Sequence, residues 1–490
     1  MKRYRYIGIT LGPIDRIAEY SKSTRSIWAS SYIFSFLAKK IVEELKSKGI
    51  KNEKFLKPVI TNDMLESSPI GRFPDQYVFE VNKDSRLTAQ DVYKIAGGIL
   101  DEIACDIKKD DEDVKKIIKQ VIKVYVVEKT YETQPDSVVE DFQTMFDAME
   151  CRDAYIMEGY ENKFAEYFDR TDTILLKEAK PKESKKGENK DYRMFTSILE
   201  CSAQIDITEA NKCEKDVSKL NALKPYQKYI AFVAADGDHF GKTISCDSAN
   251  SGLLRDFNTK LNEEVQNYGG QVIFQGGDDV LFFAPIFSPQ KKDIFSLINE
   301  IDVQFHNMVL GKIQDESHFK NMPSFSYGVA IAYYKHPMAE TRARALQLLH
   351  DCKENGRNAI KWEVMKHSGQ TYGGMIKKNA PGTETEQLKQ MLNIIKNSTS
   401  DVDNNFLHSI THWLIKNGAI LTHILQQSDK KNKEVLLNNY FDNSFDEPVH
   451  GKKTDFINAI KSFLLIEGLE KPHEKLHALL RYVELLLNKS

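Results

Sequence analysis

Residues 271–286 read QVIFQGGDDVLFFAPI: two apolar, β-rich runs joined through Gly276-Gly277-Asp278-Asp279. Nothing else in the chain limits its fold as tightly. Runs this short and this close together form a hairpin, with both acids at its tip. Adjacent carboxylates beside a buried strand are costly, since two unit charges ~4 Å apart repel by about 4 kcal/mol at an effective dielectric of 20. A divalent cation relieves that repulsion, and Mg²⁺ or Mn²⁺ takes carboxylate and phosphate oxygens together. The glycines permit a sharp turn and leave room for a bulky ligand. Gly and Asp are also ordinary turn residues, so the hairpin alone suggests a site without establishing one.

A second motif strengthens it. Residues 229–243 read YIAFVAADGDHFGKT, an apolar strand ending in Asp236-Gly237-Asp238 and followed by a polar, helix-competent stretch. An acid at the carboxyl end of a strand, ahead of a helix, stands where α/β folds place ligands. The free N–H groups at a helix start suit phosphate, and Lys242 adds a point charge. Pairing the two strands brings Asp236 beside Asp278 and Asp279, so three carboxylates converge.

Together the DGDHFGK and GGDD motifs resemble the palm of GGDEF-type nucleotide cyclases. They are still more similar to the second palm of the large, cyclase-bearing subunit of type III CRISPR effector complexes, Cmr subtype. Residues 5–37, 324–337 (SFSYGVAIAYYKHP) and 345–369, the last with Lys353 and Ser368-Gly369, resemble further segments of that family. The resemblance covers both ends of the first ~370 residues. It implies two metals, a triphosphate substrate (ATP), partner subunits, a guide RNA and a target RNA, and a cyclic oligoadenylate product. Some relatives lacking a nuclease domain join AMP to S-adenosylmethionine instead. Many members begin with an HD nuclease domain. Here the chain begins at a palm-like strand and its His350-Asp351 pair lies inside a helix, so no HD nuclease is expected, either truly absent or carried on another chain.

Composition agrees. The 490 residues are 41% hydrophobic and 28% charged, which suits two to four soluble globular domains. A net charge of −3 gives no global basic field for nucleic acid, so any RNA contact uses local patches or partner subunits. No signal peptide and no apolar run long enough to span a membrane is seen. The six cysteines are scattered and form no CxxC, which reads as free thiols in a reducing cytoplasm. Many family members carry a cysteine zinc site between the palms. Cys201 and Cys213 are too isolated a pair for one, so buried thiols are expected and no structural zinc.

The fold class that follows is α/β (α+β): two ferredoxin-like, GGDEF-type palm domains, a helical insertion and a C-terminal all-α domain. Residues 1–130 alternate strand and helix as 223–372 do, and the two blocks read as a diverged internal repeat. Where the second block has Asp236, the first has Thr10–Pro13. Where the second has GGDD, the first has Gly71-Arg72-Phe73-Pro74-Asp75. The first palm has therefore lost its acid cluster and should form a pocket without metals. Ser30, Ser31 and Arg25 are candidates to hold a nucleotide there, with a helix cap and a surface charge as the competing reading. Residues 131–222 read as a mainly helical insertion broken by a charged loop near 177–193. Residues 373–390 read as a linker opening a helical domain, 373–490. His408 and His412, though spaced i, i+4, lack an accompanying acid motif and read as core or surface residues.

Asp236, Asp278 and Asp279 are thus the expected catalytic acids and, with the Gly237 carbonyl, the expected metal ligands. Phe240, Gly241, Lys242, Gly276, Gly277 and Lys353 are the expected nucleotide-binding residues. A catalytically silent scaffold and a stand-alone diguanylate cyclase-like enzyme are the rival readings. A scaffold has no reason to keep three repelling carboxylates, and a diguanylate cyclase usually has a single palm.

Overall fold

The computed structural model describes residues 3–12, 17–18, 21–82, 85–135, 137–150, 160–179, 196–204, 223–240, 248–276, 278–312, 322–378, 384–397, 402–445 and 450–487. The first block runs β1 (Tyr4–Gly12), α1 (Thr24–Ser47), β2 (Phe55–Lys57), β3 (Gln76–Val81), α2 (Ala89–Ile107), α3 (Glu112–Val121) and β4 (Lys123–Tyr131). Its sheet has the order β2-β3-β1-β4, antiparallel throughout. The stretch between β3 and β4 folds into two helices and not one. Asp110 turns left-handed (φ 55°), and the Asp111 carboxylate accepts from the N–H groups of Asp113 and Val114 to start α3.

The insertion contributes α4 (Val138–Glu150), α5 (Tyr160–Asp169), α6 (Ile174–Ala179) and α7 (Ile198–Ala203). Helix α4 covers the sheet face opposite α1, where Phe142 lies directly on Gly8: a Cβ there would sit 2.2 Å from its ring. The charged stretch 180–195 lies outside the described residues. Glu178, just before it, pairs with the buried Lys39.

The second block repeats the plan: β5 (Tyr229–Asp238), α8 (Ser248–Tyr268), β6 (Gln271–Gly276), β7 (Asp279–Pro285), α9 (Ile294–Met308) and β8 (Ser324–Tyr333). Its core order, β6-β7-β5-β8, is that of the first sheet, as a repeated βαββαβ unit requires. Then α10 (Met338–Glu354), β9 (Ala359–Met365) and β10 (Thr371–Lys377) extend the sheet, β9 parallel to β8 and β10 antiparallel to β9. Strand β5 is apolar from Tyr229 to Ala235 because both of its faces are covered there. Ala231, Val233 and Ala235 face α8 and α9, while Ile230, Phe232 and Ala234 share a core with α10 and with Ile27 of α1.

The expected linker is corrected by this arrangement. Residues 371–377 are a paired strand, and 384–397 form α11 (Glu384–Asn397). Among the described residues five helices follow: α12 (Asn404–Lys416), α13 (Gly418–Leu425), α14 (Lys430–Ser444), α15 (Thr454–Leu464) and α16 (Pro472–Leu487). They are all-α, as expected, but their core is continuous with that of the second palm. Tyr482 of α16 packs edge-on against Phe295 and Trp362, with ring centroids 5.1 and 5.8 Å apart.

Candidate active site

Strand register brings the acids together. Strands β5 and β7 pair from Ile230↔Pro285 to Ala235↔Val280, so one step further Asp236 lies level with Asp279. Gly276 pairs with Asp279, which leaves Asp278 in the connecting turn, and β6 carries an irregularity at Val272/Phe274 beside it. Gly276 is needed because a Cβ there would come within 2.5 Å of the Phe274 ring.

Three carboxylates in one place shift one another. Asp278 is pushed up to about 6, first by loss of solvent and then by the charge of Asp236. Asp236 is raised by the same loss of solvent, and Lys353 and a hydrogen bond with Asp279 oppose this. Asp279 is raised furthest, by loss of solvent and by Asp236 and Asp278. Its side chain still reaches water, so repulsion among the three acids is the cause that stands. Among the described residues no three His, Cys, Asp or Glu side chains form a finished metal cage. The donor set nevertheless fits hard cations: crowded carboxylate oxygens, part-solvated, with the Lys353 ammonium paired to Asp236.

Phe240 is core. Its ring stacks on Phe305 at 5.2 Å and meets Phe325 edge-on at 5.2 Å, leaving only its backbone for a ligand. Gly237 has no Cβ because that ring occupies the space, 2.3 Å away. Gly241, Lys242 and Gly277 lie outside the described residues. Ser31 is buried on α1. Ser30 is fully buried, and its hydroxyl donates to the Ile27 carbonyl at 2.8 Å and accepts from Ser21 at 3.3 Å. Arg25 donates to the Asp169 carbonyl at 2.8 Å. Cys201 is a buried thiol that donates to the Gly269 carbonyl at 3.3 Å, and Cys213 is outside the described residues. His408 is exposed, 3.5 Å from Glu484.

Asp238 is the residue that sequence reasoning passed over. Its side chain is fully enclosed. It accepts from Ser324 Oγ at 2.9 Å, from Ser326 Oγ at 2.9 and 2.7 Å, and from the Asn358 N–H at 2.9 Å. Ser326 is therefore half of a clamp on this carboxylate. The clamp fixes the turn Gly356-Arg357-Asn358, left-handed at all three residues, which follows Lys353 at the end of α10. Arg357 Nε stands 4.0 Å from Asp238 Oδ1. A signal for this was present: counting by twos from Ile230, Phe232 and Ala234 puts Asp236 and Asp238 on the α10 side of β5.

Comparison with known proteins agrees with this geometry. The family described as Cas10/Cmr2, second palm domain, matches residues 229–361, and CRISPR-associated protein Cmr2, N-terminal, matches residues 6–123. The two matches together span just over half of the chain. The CRISPR system Cmr subunit Cmr2 of Pyrococcus furiosus is 23% identical over 189 residues, 30% of this chain and 20% of that protein, so the likeness spans a fifth of that relative. A type III-B Cmr-beta cryo-EM structure in the apo state superposes with a TM-score of 0.53 at 11% identity, covering 89% of this chain and 77% of that one. A Csm1-Csm4 cassette crystallised with cA4 gives 0.51 at 11% identity, covering 99% and 70%. At such identities these structures speak for the fold alone.

Proposed function

This chain belongs to the Cas10/Cmr2 family of type III CRISPR complexes, Cmr subtype, and from that premise we propose that its second palm makes a cyclic oligoadenylate from ATP. The carrying observation is the trio Asp236, Asp278 and Asp279, mutually repelling where β5 ends and β6 turns into β7, with Lys353 beside it. Solved neighbours crystallised with cA3 and cA4 support this choice of product.

Asp236, Asp278 and Asp279, with the Gly237 carbonyl, would hold two Mg²⁺ or Mn²⁺ ions, which supply charge stabilisation to the attacking and leaving oxygens. Lys353 turns from Asp236 to the triphosphate of the donor ATP, joined by the backbone at 240–242. The 3′-hydroxyl of an acceptor seated against the first palm bonds to the donor α-phosphorus. The bond from that phosphorus to pyrophosphate breaks, and the hydroxyl proton passes to Asp279. Partner subunits, guide RNA and target RNA complete the working assembly.

Mass spectrometry of products tests this, using the chain assembled with its neighbouring subunits and guide RNA. The assembly is given Mg²⁺ or Mn²⁺, ATP and S-adenosylmethionine, with and without matching target RNA. An RNA-dependent oligoadenylate is expected, lost in Asp278→Asn/Asp279→Asn while assembly survives. An adenylated S-adenosylmethionine would keep the site and change the acceptor. No product from an assembled, RNA-bound complex would make the chain a scaffold.

A further inference from the structure

Among the described residues the two sheets have four edges, and three of them are blunted. Strand β2 has three residues and a register shift against β3. Strand β6 is broken by its irregularity at Val272/Phe274 and bridged to Gly71. Strand β10 carries Gly373 and Gly374 and lies against α11 and α16. Strand β4 differs. It is nine residues long, KVYVVEKTY, with no glycine, no proline and no register shift along β1. None of the nine is buried. A long, regular edge of β-branched and aromatic residues is one that folds ordinarily cover or interrupt.

The ladder fixes which backbone groups of β4 face outward. The Leu11 N–H donates to the Asp75 carbonyl at 2.9 Å, continuing the β1–β3 pairing. The odd residues of β1 thus bond toward β3 and the even ones toward β4, where they meet the odd residues Lys123 to Tyr131. Val124, Val126, Glu128 and Thr130 turn N–H and C=O away from the sheet. Among the described residues no hydrogen bond meets those groups. The second palm shows what closes the same edge. Its matching strand, β8, is joined on that side by β9, parallel from Tyr327↔Ile360 to Ala332↔Met365. There the chain supplies the extra strand itself, through α10. After β4 it runs instead into α4, which lies on the sheet face, and no described strand pairs with the outer side of β4.

We propose that β4 receives an extended segment of a partner subunit, which adds a strand parallel to β4 as β9 is to β8. The charges on β4 are already answered, Glu128 by Arg5 and Lys129 by Asp141, so the open run is Val124–Val127. Val124 and Val126 look to the core under α1 and α2, and Val127 looks to α4. The incoming segment is therefore uncharged at its centre, with apolar side chains on both faces, and backbone bonds hold it. This interface is independent of the acids and of the product they make.

Hydrogen exchange resolved to single amides, on the full chain alone and in the assembled complex, tests this. The amides of Val126 and Glu128 should exchange freely in the chain alone and slow at least about tenfold on assembly. Those of Val127 and Lys129 should be slow in both. Val126→Pro removes one outward donor and leaves the β1 ladder whole, so the chain alone should melt near wild type. A partner subunit should then co-purify with it at least about tenfold less. Val126→Ala trims the same side chain but keeps the N–H, and should retain that subunit. Outward amides that exchange alike in the chain alone and in the complex overturn the proposal, as does a Val126→Pro chain that folds and assembles like wild type. Should Val126→Pro fail to fold, the exchange comparison decides. Outward amides already slow in the chain alone, with a dimer by light scattering, would give the edge to a second copy and overturn the partner-subunit assignment.

Discussion

At Asp278 the site's chemistry and the protein's stability oppose each other. Its carboxyl titrates near 6 in the folded chain and near 4 in an unfolded one. Between those values the folded state holds a proton that the unfolded state has released, so stability falls as pH rises from about 4 to about 6 and is flat above. The cost at neutral pH is about 1–2 kcal/mol, allowing for solvent screening at a half-buried position. Asp278→Asn should therefore raise the melting temperature of the metal-free chain at pH 7.5 and leave it nearly unchanged at pH 4. A variant melting lower at pH 7.5 would mean the carboxylates are not in conflict. Mn²⁺ should add stability to wild type above pH 6 and little to Asp278→Asn, because ligands must be deprotonated to bind. The acids and their order were legible in the sequence, since adjacent carboxylates on apolar strands repel unless a cation answers them. Asp238 was not, because a DGD tripeptide does not say which acid is enclosed. That is decided by Ser324 and Ser326, far away in sequence, and by the Asn358 N–H.

At the scale of elements, α10 is held at its height by an absence. A Cβ on Gly328 of β8 would lie 2.1 Å from the Ala345 carbonyl oxygen and 2.3 Å from the Leu349 nitrogen, both backbone atoms of α10. Helix and strand touch there without side chains between them, and Lys353 stands one turn beyond Leu349. Gly328→Ala should cost at least about 1–3 kcal/mol by overpacking, read from the denaturant midpoint, and should weaken ATP binding as Lys353 moves. Gly374→Ala is the control. Its nearest atom is Trp362 Nε1 at 3.6 Å, ordinary contact, and it should shift stability by no more than about 0.5 kcal/mol. Equal effects in the two variants would mean that close packing does not set the height of α10. The same closeness explains the linker misread at 373–377. Gly373 lies so near the Trp362 carbonyl that a Cβ would stand 2.1 Å from it, so a glycine pair that reads as flexible is a tightly apposed strand. Composition does not distinguish these cases. The break between α2 and α3 has a signal that a helical pattern over the whole stretch hides, the acids at 110–113 with the N-cap Asp111 among them.

Across the second palm, the acid-bearing end of β5 and helix α9 are tied through a buried polar chain. Asp238 holds the Asn358 N–H, the Asn358 carbonyl accepts from Lys378 N at 3.2 Å, and Lys378 Nζ donates to both oxygens of Asp302 at 2.9 and 2.8 Å. Tyr327 completes the group, its hydroxyl on Asp302 at 2.9 Å and its ring beneath Lys378 at 4.6 Å. Lys378 is nearly enclosed and Asp302 less so, with side-chain exposures of 5% and 20%. Removing one member of such a pair leaves the other desolvated and unanswered. Lys378→Met should cost about 3 kcal/mol, the low end of the range for buried pairs because Asp302 retains some water. Lys378→Met/Asp302→Asn should be more stable than the single variant, since asparagine still accepts from Tyr327 and carries no charge to strand. Denaturant unfolding of the three proteins decides this, and a double variant less stable than the single would show that Asp302 contributes apart from its pairing with Lys378. The backbone bond from Lys378 N to Asn358 survives both changes. The turn behind Lys353 should thus keep its place, and in the assembled complex nucleotide product per folded chain should fall less than in Asp238→Ala, which removes the carboxylate that holds the turn. If Lys378→Met abolished product as fully as Asp238→Ala, the chain would transmit to the site through charge and not through the backbone it anchors.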